Sequence, residues 1–209
     1  MSKIPIAKID TKIFNEFGHI RHDDYYWLND RDNQEVIDYL EKENNYTKDV
    51  LKSTEGLQKQ IYDEIVGRIK QDDESVPFVL KAYKYYHRFI QGSEYPVYCR
   101  RALEESSSEE VMLDGNKMAE GYSYFNIGSW EISDNSNLLA FSVDTVSRRK
   151  YTIKFKNLKT GAVLDDEIKN TSGNMCWAND NKTIFYTVKD PVTLRSNKIF
   201  KHVLGTDQS

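Results

Sequence analysis

The sequence has little cysteine and no long apolar run. Its two cysteines, Cys99 and Cys176, lie far apart, so neither a disulfide framework nor a Cys-x-x-Cys metal site is predicted. We expect both thiols to be reduced and buried, which fits the cytoplasm or a cysteine-poor periplasm. No stretch approaches the roughly 18 apolar residues of a membrane span, and the N-terminus lacks the apolar core of a signal peptide. We therefore predict neither membrane insertion nor secretion.

An excess of positive charge is also missing. The chain carries 33 acidic and 29 basic residues, a net charge of −4, so no nucleic-acid partner is predicted. There is no Gly-x-Ser-x-Gly, and the strained elbow that exposes a nucleophilic serine is therefore missing. A glycine-rich phosphate loop is missing too. From its residues alone, the chain has no predicted catalytic, cofactor-binding or metal site.

What the sequence does contain is an internal repeat, in which Trp130–Asp144 recurs as Cys176–Asp190. Two pairs of aspartates keep an offset of 46 residues: Asp134 with Asp180, and Asp144 with Asp190. Of three apolar strand positions at that offset, two match, Leu138 with Ile184 and Ala140 with Tyr186, whereas Val143 aligns with Lys189. A repeat of roughly 40–50 residues built from short strands and turns is typical of a β-propeller blade. We predict that the two copies are equivalent strands of adjacent blades and do not pair with each other.

The residues before the blades indicate an arm and two helices. An extended arm is expected up to Gly18, followed by a group of buried apolar side chains, Tyr25, Tyr26, Trp27 and Leu28. Helical periodicity predicts one helix from Asn33 to about Leu51, capped by Asp32 or Asn33. A second helix, capped by Ser53 or Thr54, has an apolar stripe at Leu57, Ile61, Ile65 and Ile69. That stripe should remain partly exposed, because its partner would be a missing domain.

Alternating patterns then predict three blades. The first spans Tyr83 to the Asp114-Gly115 turn, the second about 122–167, and the third begins near Asn170. In the second blade, Tyr151, Ile153 and Phe155 should face inward, and Lys150, Thr152, Lys154 and Lys156 should face water. The predicted fold is mainly β with an N-terminal helical segment, divided into residues 1–72 and 73–209. A propeller closes with roughly 4–8 blades, so we expect a fragment of a longer protein.

Four groups of residues could carry chemistry, and each has a simpler structural explanation. The groups are His19 and His22 before Asp23 and Asp24; His87 and His202; Ser106–Ser108 between Glu104, Glu105, Glu109 and Glu110; and Arg148, Arg149 and Lys150. The first group has weak metal-ligand spacing, so a hydrogen-bonded loop is favoured. The two later histidines lie within strand patterns, which predicts packing or surface positions, and the serines are predicted to lie in a solvated hairpin tip. The basic triplet fits a solvated strand end, or an ion pair to a neighbouring blade, better than an anion site.

Four stretches resemble the oligopeptidase B branch of the prolyl oligopeptidase family of serine peptidases. They are FGHIRHDDYYWLNDRDNQEVIDYLEKENNY at 17–46, SRRKYTIKFKNLKTG at 147–161, WANDNKTIFYTVKDPVTL at 177–194 and HVLGTD at 202–207. The match departs from the family pattern at Phe17, where the family has a histidine. The resemblance implies a seven-bladed propeller that covers an α/β-hydrolase domain and admits only short peptides.

By that resemblance, residues 1–72 pack on the hydrolase domain and residues 73–209 form the first three blades. The catalytic Ser, Asp and His and the acidic pocket for Arg or Lys would lie in the C-terminal hydrolase domain of the same chain, so no residue here takes those roles. Two alternatives stay open: a prolyl-specific peptidase of the same family, and a propeller that binds a peptide or protein without catalysis.

Overall fold

The computed structural model describes residues 3–104 and 106–208. The chain divides into two units, Met1–Ile69 and Lys70–Ser209. The first contains a β-hairpin and two helices, and the second contains all the other strands. Among the described residues, no helix combines the length and apolar character that crossing a membrane requires.

The two predicted helices are present. Helix α1 spans Gln34–Leu51 and helix α2 spans Glu55–Arg68. The predicted cap at Asn33 is confirmed, since its side chain accepts a 2.9 Å hydrogen bond from the backbone N–H of Glu35. Such a bond satisfies one of the free N–H groups at a helix start.

The predicted cap of the second helix at Ser53 or Thr54 is wrong. A 3-10 turn, Lys52–Thr54, joins the two helices without an extended residue between them. The hydroxyl of Thr54 instead donates a 2.7 Å bond back to the carbonyl of Leu51. Because the backbone stays helical, the N–H groups at the start of α2 find carbonyl partners in the preceding turn and need no cap.

The apolar stripe of the second helix remains exposed, as predicted. Leu57, Ile61, Ile65 and Ile69 are 58%, 48%, 57% and 56% exposed. An apolar row of this length on a helix normally packs against a partner surface.

The expected arm is partly wrong, because it contains a β-hairpin. Strands β1, Lys12–Glu16, and β2, His19–Asp23, pair through a two-residue turn at Phe17 and Gly18. Both turn residues have positive φ, 51° and 77°, as two-residue hairpin turns of the primed types require. The predicted burial holds in part for the next segment: Tyr26, Trp27 and Leu28 are half-buried, but Tyr25 is 49% exposed.

The first blade is a four-stranded antiparallel sheet in which the strands pair in chain order. Its strands are β3 (Phe78–Leu80), β4 (Tyr83–Arg88), β5 (Val97–Ala102) and β6 (Glu110–Asp114). The predicted turn at Asp114-Gly115 is wrong. Asp114 accepts bonds from the N–H groups of Asn116 and Lys117 and so caps a short helix, α3, at Gly115–Ala119.

The second and third blades share one six-stranded antiparallel sheet. Its strands are β7 (Asn126–Ile132), β8 (Leu138–Asp144), β9 (Tyr151–Asn157), β10 (Val163–Trp177), β11 (Thr183–Lys189) and β12 (Ser196–Val203). The first part of β10 pairs with β9 and the second part pairs with β11. Strand β10 is thus the last strand of one blade and the first of the next. Strands β8 and β11 lie in the same sheet but do not pair, because β9 and β10 separate them.

The repeat is real, but its offset at the first turn is 45 residues. Two features keep this offset: the bond from Ser133 N to Leu138 O matches that from Ala178 N to Thr183 O, and a φ of 59° recurs at Ser136 and Asn181. Asp180 therefore corresponds to Asn135, and the predicted equivalence of Asp180 with Asp134 is wrong.

At the far end of the strand the predicted offset of 46 is correct. The carboxylates of Asp144 and Asp190 both accept N–H bonds from the residue two positions later, Val146 and Val192. The pairing of β11 with β12 also has a register shift between Val188 and Lys189, which leaves Asn197 of β12 unpaired.

Two cores lie between the blades, one on each side of the second blade. The core shared with the first blade contains Tyr85, Met112, Leu113, Phe125, Leu139, Phe141 and Val143. The core shared with the third contains Ala140, Ile153, Phe155, Ile168, Met175, Ile184 and Tyr186. Strand β8 supplies residues to both, which explains why its apolar run is almost continuous rather than alternating.

Candidate functional site

The first strands of the three blades meet along one edge of the propeller unit. The ring of Phe78 on β3 stacks on Trp130 of β7, with 6.1 Å between centroids. From β7, the Ser129 hydroxyl donates to the carbonyl of Gly173 on β10. The indole N–H of Trp177 on β10 donates back to the carbonyl of Glu131, 3.1 Å away. These three strands form the inner surface of the partial ring.

A single aromatic ring fills the space between two of these inner strands. A Cβ atom added to Gly128 on β7 would lie 2.6 Å from the ring of Tyr151, and one added to Gly173 on β10 would lie 2.9 Å from it. Gly173 also has a φ of +93°, a conformation that glycine adopts most readily. The Tyr151 hydroxyl accepts a 3.1 Å bond from the side-chain amide of Asn126. Both glycines are therefore required for close packing.

Strand β7 also carries one carboxylate. Glu131 is exposed, and within residues 3–104 and 106–208 it forms no ion pair. Partial desolvation raises the pKa of its carboxyl above the usual value. An exposed, unpaired carboxylate attracts cationic groups.

A buried arginine joins the first two blades. Arg100 on β5 is 3% exposed, and its Nη1 donates a 2.7 Å bond to the carbonyl of Ser136 in the β7–β8 turn. Its Nη2 lies 2.7 Å from a carboxylate oxygen of Glu110, and its guanidinium lies 4.2 Å from the ring centre of Tyr83. An ion pair between Lys81 and Asp134 also joins the two blades.

A half-buried ion pair occupies the opposite face of the first blade. Arg88 donates to Glu109 from Nε at 3.2 Å and from Nη2 at 2.9 Å, and the Tyr86 hydroxyl donates to the same carboxylate at 2.7 Å. The Arg88 bond lowers the pKa of Glu109. Burial raises the pKa of the adjacent Cys99 thiol to about 11. A thiol with so high a pKa is protonated at neutral pH and is a poor nucleophile.

The first histidine group lies on strand β2 and the residue after it. Its neighbours are bound locally: Asp23 forms a 3.0 Å ion pair with Arg21, and Asp24 accepts a 2.6 Å bond from Thr11. Because His19 and His22 are three residues apart on a strand, their side chains point to opposite faces. Among the described residues, no three His, Cys, Asp or Glu side chains are grouped to hold a metal ion.

The later histidines have packing roles, as predicted. His202 is 3% exposed, its Nε2 lies 2.9 Å from a carboxylate oxygen of Asp166, and its ring stacks on Phe155. His87 contacts the rings of Phe89 and Tyr98.

The predicted solvated tip of the first blade is only partly correct. Glu109 and Glu110 are not free acids at a tip, since each pairs with an arginine from another strand. Ser107 donates to the carbonyl of Ala102 at 2.7 Å, and Glu105 lies outside the described residues.

The basic triplet forms an exposed loop between β8 and β9. The buried carboxylate of Asp144 holds this loop by accepting bonds from the N–H groups of Val146 and Arg149, at 2.9 and 2.7 Å. Arg148, Arg149 and Lys150 are exposed and pair with no acid in the described part of the chain. The interpretation as a solvated turn is therefore correct.

Two residues differ in exposure from what the patterns predict. Cys99 is buried as expected, but Cys176 is exposed, because it lies on the opposite face of β10 from the buried Met175 and next to the exposed Phe185. Lys156 was expected to face water, yet it is half-buried, and its ammonium donates a 2.7 Å bond to the carbonyl of Met112 in the first blade.

Sequence reasoning missed the contacts between blades. Nothing in the alternating pattern marks Arg100 as buried, because its neighbours on β5 are polar and apolar in turn. A signal existed for the packing of Tyr151, since isolated glycines within strands, here Gly128 and Gly173, often mark a close approach of another group.

Comparison with known proteins identifies the family to which this architecture belongs. Residues 5–209 match the family model described as "Prolyl oligopeptidase, N-terminal beta-propeller domain". The chain is 44% identical to dipeptidyl aminopeptidase BI of Pseudoxanthomonas mexicana and 36% identical to protease 2 of Moraxella lacunata, covering 98% of this chain and 31% of each relative.

Among solved structures, oligopeptidase B from Leishmania major superposes with a TM-score of 0.88 at 31% identity, covering 99% of this chain and 32% of that one. The chain thus spans about a third of the length of the relatives it matches. Since the family match includes nearly every residue, the chain belongs to the prolyl oligopeptidase family, as that family's N-terminal β-propeller domain.

Proposed function

We propose that this chain is the non-catalytic N-terminal part of a serine oligopeptidase that cleaves short peptides after Arg or Lys. The observation that carries the proposal is the superposition on oligopeptidase B along 99% of the chain with a TM-score of 0.88. That match includes the helices and all three blades, so it is not a general likeness between propellers.

The exposed stripe of α2 supports a partner domain. Leu57, Ile61 and Ile65 are each about half exposed, and a row of aliphatic side chains on one helix face is stabilised by burial. We assign residues 1–72 to the surface that packs on a C-terminal α/β-hydrolase domain, and residues 73–209 to the first blades. The nucleophile, the base and the oxyanion hole then belong to the hydrolase domain.

The propeller would contribute access and charge. A propeller that covers an active site excludes folded proteins and admits peptides. Glu131 adds a negative charge to the first strand of the second blade, which favours peptides that carry Arg or Lys. The carboxylate supports a preference for basic peptides.

A second candidate is the removal of N-terminal dipeptides. The 44% identity to dipeptidyl aminopeptidase BI favours it, because this identity exceeds that to protease 2. The two activities differ in what they demand of a substrate: an aminopeptidase that releases dipeptides needs a free α-amino group two residues before the cut, and an oligopeptidase does not.

Three fluorogenic substrates test the proposal on the full-length parent protein. One is a dipeptide ending in Arg with a blocked N-terminus, the second is the same dipeptide with a free N-terminus, and the third is a blocked dipeptide ending in Pro. We expect turnover of the blocked Arg substrate and its loss after treatment with a serine-directed acylating reagent.

Each other result selects an alternative. Turnover of only the free substrate supports the dipeptidyl aminopeptidase, and preference for proline supports the prolyl-specific branch. No turnover by a folded parent supports a binding module. The 209-residue chain alone is the matched control, and it should be inactive with all three substrates because it lacks the triad.

A further inference from the structure

A cleft of about 480 Å³ opens between the first and second blades, away from the inner strands. Its walls come from strands β4, β5 and β6 of the first blade and from β9 and the turn after it in the second. The polar and aromatic side chains that matter are Tyr83, Arg100, Glu110, Lys156 and Lys159. A volume of this size is typical of small-molecule sites.

The cleft has the opposite charge to the rest of the protein. Arg100, Lys156 and Lys159 bring three positive charges, and Glu110 brings one negative charge, in a chain whose net charge is −4. The surplus is therefore two positive charges in one concave site.

Two of the cations are held in place, and one of them keeps free donors. Arg100 is 3% exposed, and each of its three nitrogens has a partner, either Glu110 or the Ser136 carbonyl. The ammonium of Lys156 bonds the Met112 carbonyl at 2.7 Å and, within residues 3–104 and 106–208, pairs with no carboxylate. Burial lowers the pKa of Lys156, as expected for a cation without a counter-ion.

We propose that this cleft binds the phosphate group of a small anion. A phosphate dianion matches the surplus of two charges, and its oxygens accept bonds from the ammonium groups of Lys156 and Lys159, while the guanidinium of Arg100 adds positive charge behind them. Since Lys156 already bonds the Met112 carbonyl of the first blade, the bound group reinforces the contact between the two blades. This site is independent of peptide cleavage and lies outside the inner surface.

The test uses the 209-residue chain itself, so it does not depend on the proposed function. Inorganic phosphate is titrated against sodium chloride of equal ionic strength, and the melting temperature and the amide and Arg Nε–H signals in NMR spectra are recorded. We expect saturable shifts of the Arg100 Nε–H and a melting temperature higher by about 3 °C at saturation.

Variants separate the site from general salt effects, because phosphate stabilises many folded proteins by exclusion from their surface. Lys156→Met should weaken binding roughly tenfold or more, Lys156→Arg should retain it, and the matched control Lys201→Met, an exposed lysine on β12, should bind like the parent chain. Phenyl phosphate in place of inorganic phosphate tells whether an esterified phosphate binds more tightly.

The site is supported if either inorganic phosphate or phenyl phosphate binds more weakly to Lys156→Met than to the parent chain. Shifts that do not saturate, or that are equal in Lys156→Met and Lys201→Met, would overturn it. If circular dichroism shows that Lys156→Met is misfolded, Lys159→Met takes its place in the test. Lys159→Met should bind phosphate more weakly, and unchanged binding would contradict the proposal.

Discussion

The guanidinium of Arg100 in the first blade donates a 2.7 Å hydrogen bond to the carbonyl oxygen of Ser136 in the second. Both residues are buried, at 3% and 8% exposure. The same guanidinium holds Glu110 within its own sheet, with Nε 2.8 Å from the carboxylate. One side chain therefore fixes the position of the second blade's first turn against the first blade.

Replacing this arginine should destabilise the propeller unit. We expect Arg100→Ala to lower the free energy of unfolding by about 2 kcal/mol, because the buried Ser136 carbonyl loses its donor and Glu110 its partner. Urea unfolding followed by tryptophan fluorescence measures the change. Arg101→Ala, at the adjacent exposed position, is the control and should have little effect. Equal losses in both variants would contradict the assigned role of Arg100.

The β1–β2 hairpin has a residue that is poorly suited to its turn. Phe17 has a φ of 51° and is fully exposed, so it gains no packing in return for a strained backbone. We expect Phe17→Asn to stabilise the hairpin by about 1 kcal/mol, since Asn-Gly suits this turn type. Amide hydrogen exchange of the hairpin should slow roughly fivefold.

The matched control for the hairpin is Glu16→Asn. Glu16 lies in the strand rather than the turn, so this change adds asparagine where no positive φ is required. Slower exchange in Glu16→Asn, or unchanged exchange in Phe17→Asn, would show that strain in the turn is not the cause.

The two cysteines should react at very different rates. Cys176 is exposed, whereas Cys99 is buried and has a pKa raised to about 11 by burial. At mildly alkaline pH we expect iodoacetamide to add one group to the folded chain and a second only after denaturation. Intact-mass spectrometry counts the additions, and Cys176→Ser should abolish the first. A second addition to the folded chain at the rate of the first would contradict the burial of Cys99.

The carboxyl of Asp180 should titrate near pH 2. The hydroxyl of Thr183 donates to it at 2.6 Å, and the N–H groups of Lys182 and Thr183 add two more bonds, which together lower its pKa from 3.8 to about 2. A lowered pKa means that the ionised form stabilises the folded turn above about pH 4, and that this contribution is lost as the pH falls toward 2.

Removing the hydroxyl should bring that pKa partly back toward its ordinary value. In Thr183→Val we expect the Asp180 carboxyl to titrate at higher pH, measured by carboxyl carbon chemical shifts. Thr187→Val is the control, because Thr187 bonds Ser172 rather than Asp180. An unchanged titration in Thr183→Val would mean that the backbone bonds alone set the pKa.

Local patterns predict the elements of this fold well, but they do not identify which neighbours cover each face. Helix periodicity and the Asn33 cap give α1 correctly, because both depend on residues close in sequence. Alternation assigns Lys156 to the face opposite Phe155, which is correct. It fails to predict that this face is covered, because the covering atom, the Met112 carbonyl, belongs to another blade.

The internal repeat shows the same limit of prediction from local sequence patterns. An offset read from matching letters aligned Asp134 with Asp180, yet backbone bonds align Asn135 with Asp180, because Asn and Asp both accept turn N–H bonds. The register shift that leaves Asn197 of β12 unpaired is not marked in the sequence either. Burial of Arg100 likewise depends on a turn 36 residues away.

Because of strand β10, the two contacts between neighbouring blades differ in kind. Thr171 pairs with Tyr151 on one side and with Val188 on the other, so the second and third blades share backbone hydrogen bonds as well as a core. The first and second blades pair through no strand in the described part of the chain and meet through side chains and a core. Bending between the first and second blades therefore breaks no backbone hydrogen bond between strands, whereas bending between the second and third distorts a strand that both blades share.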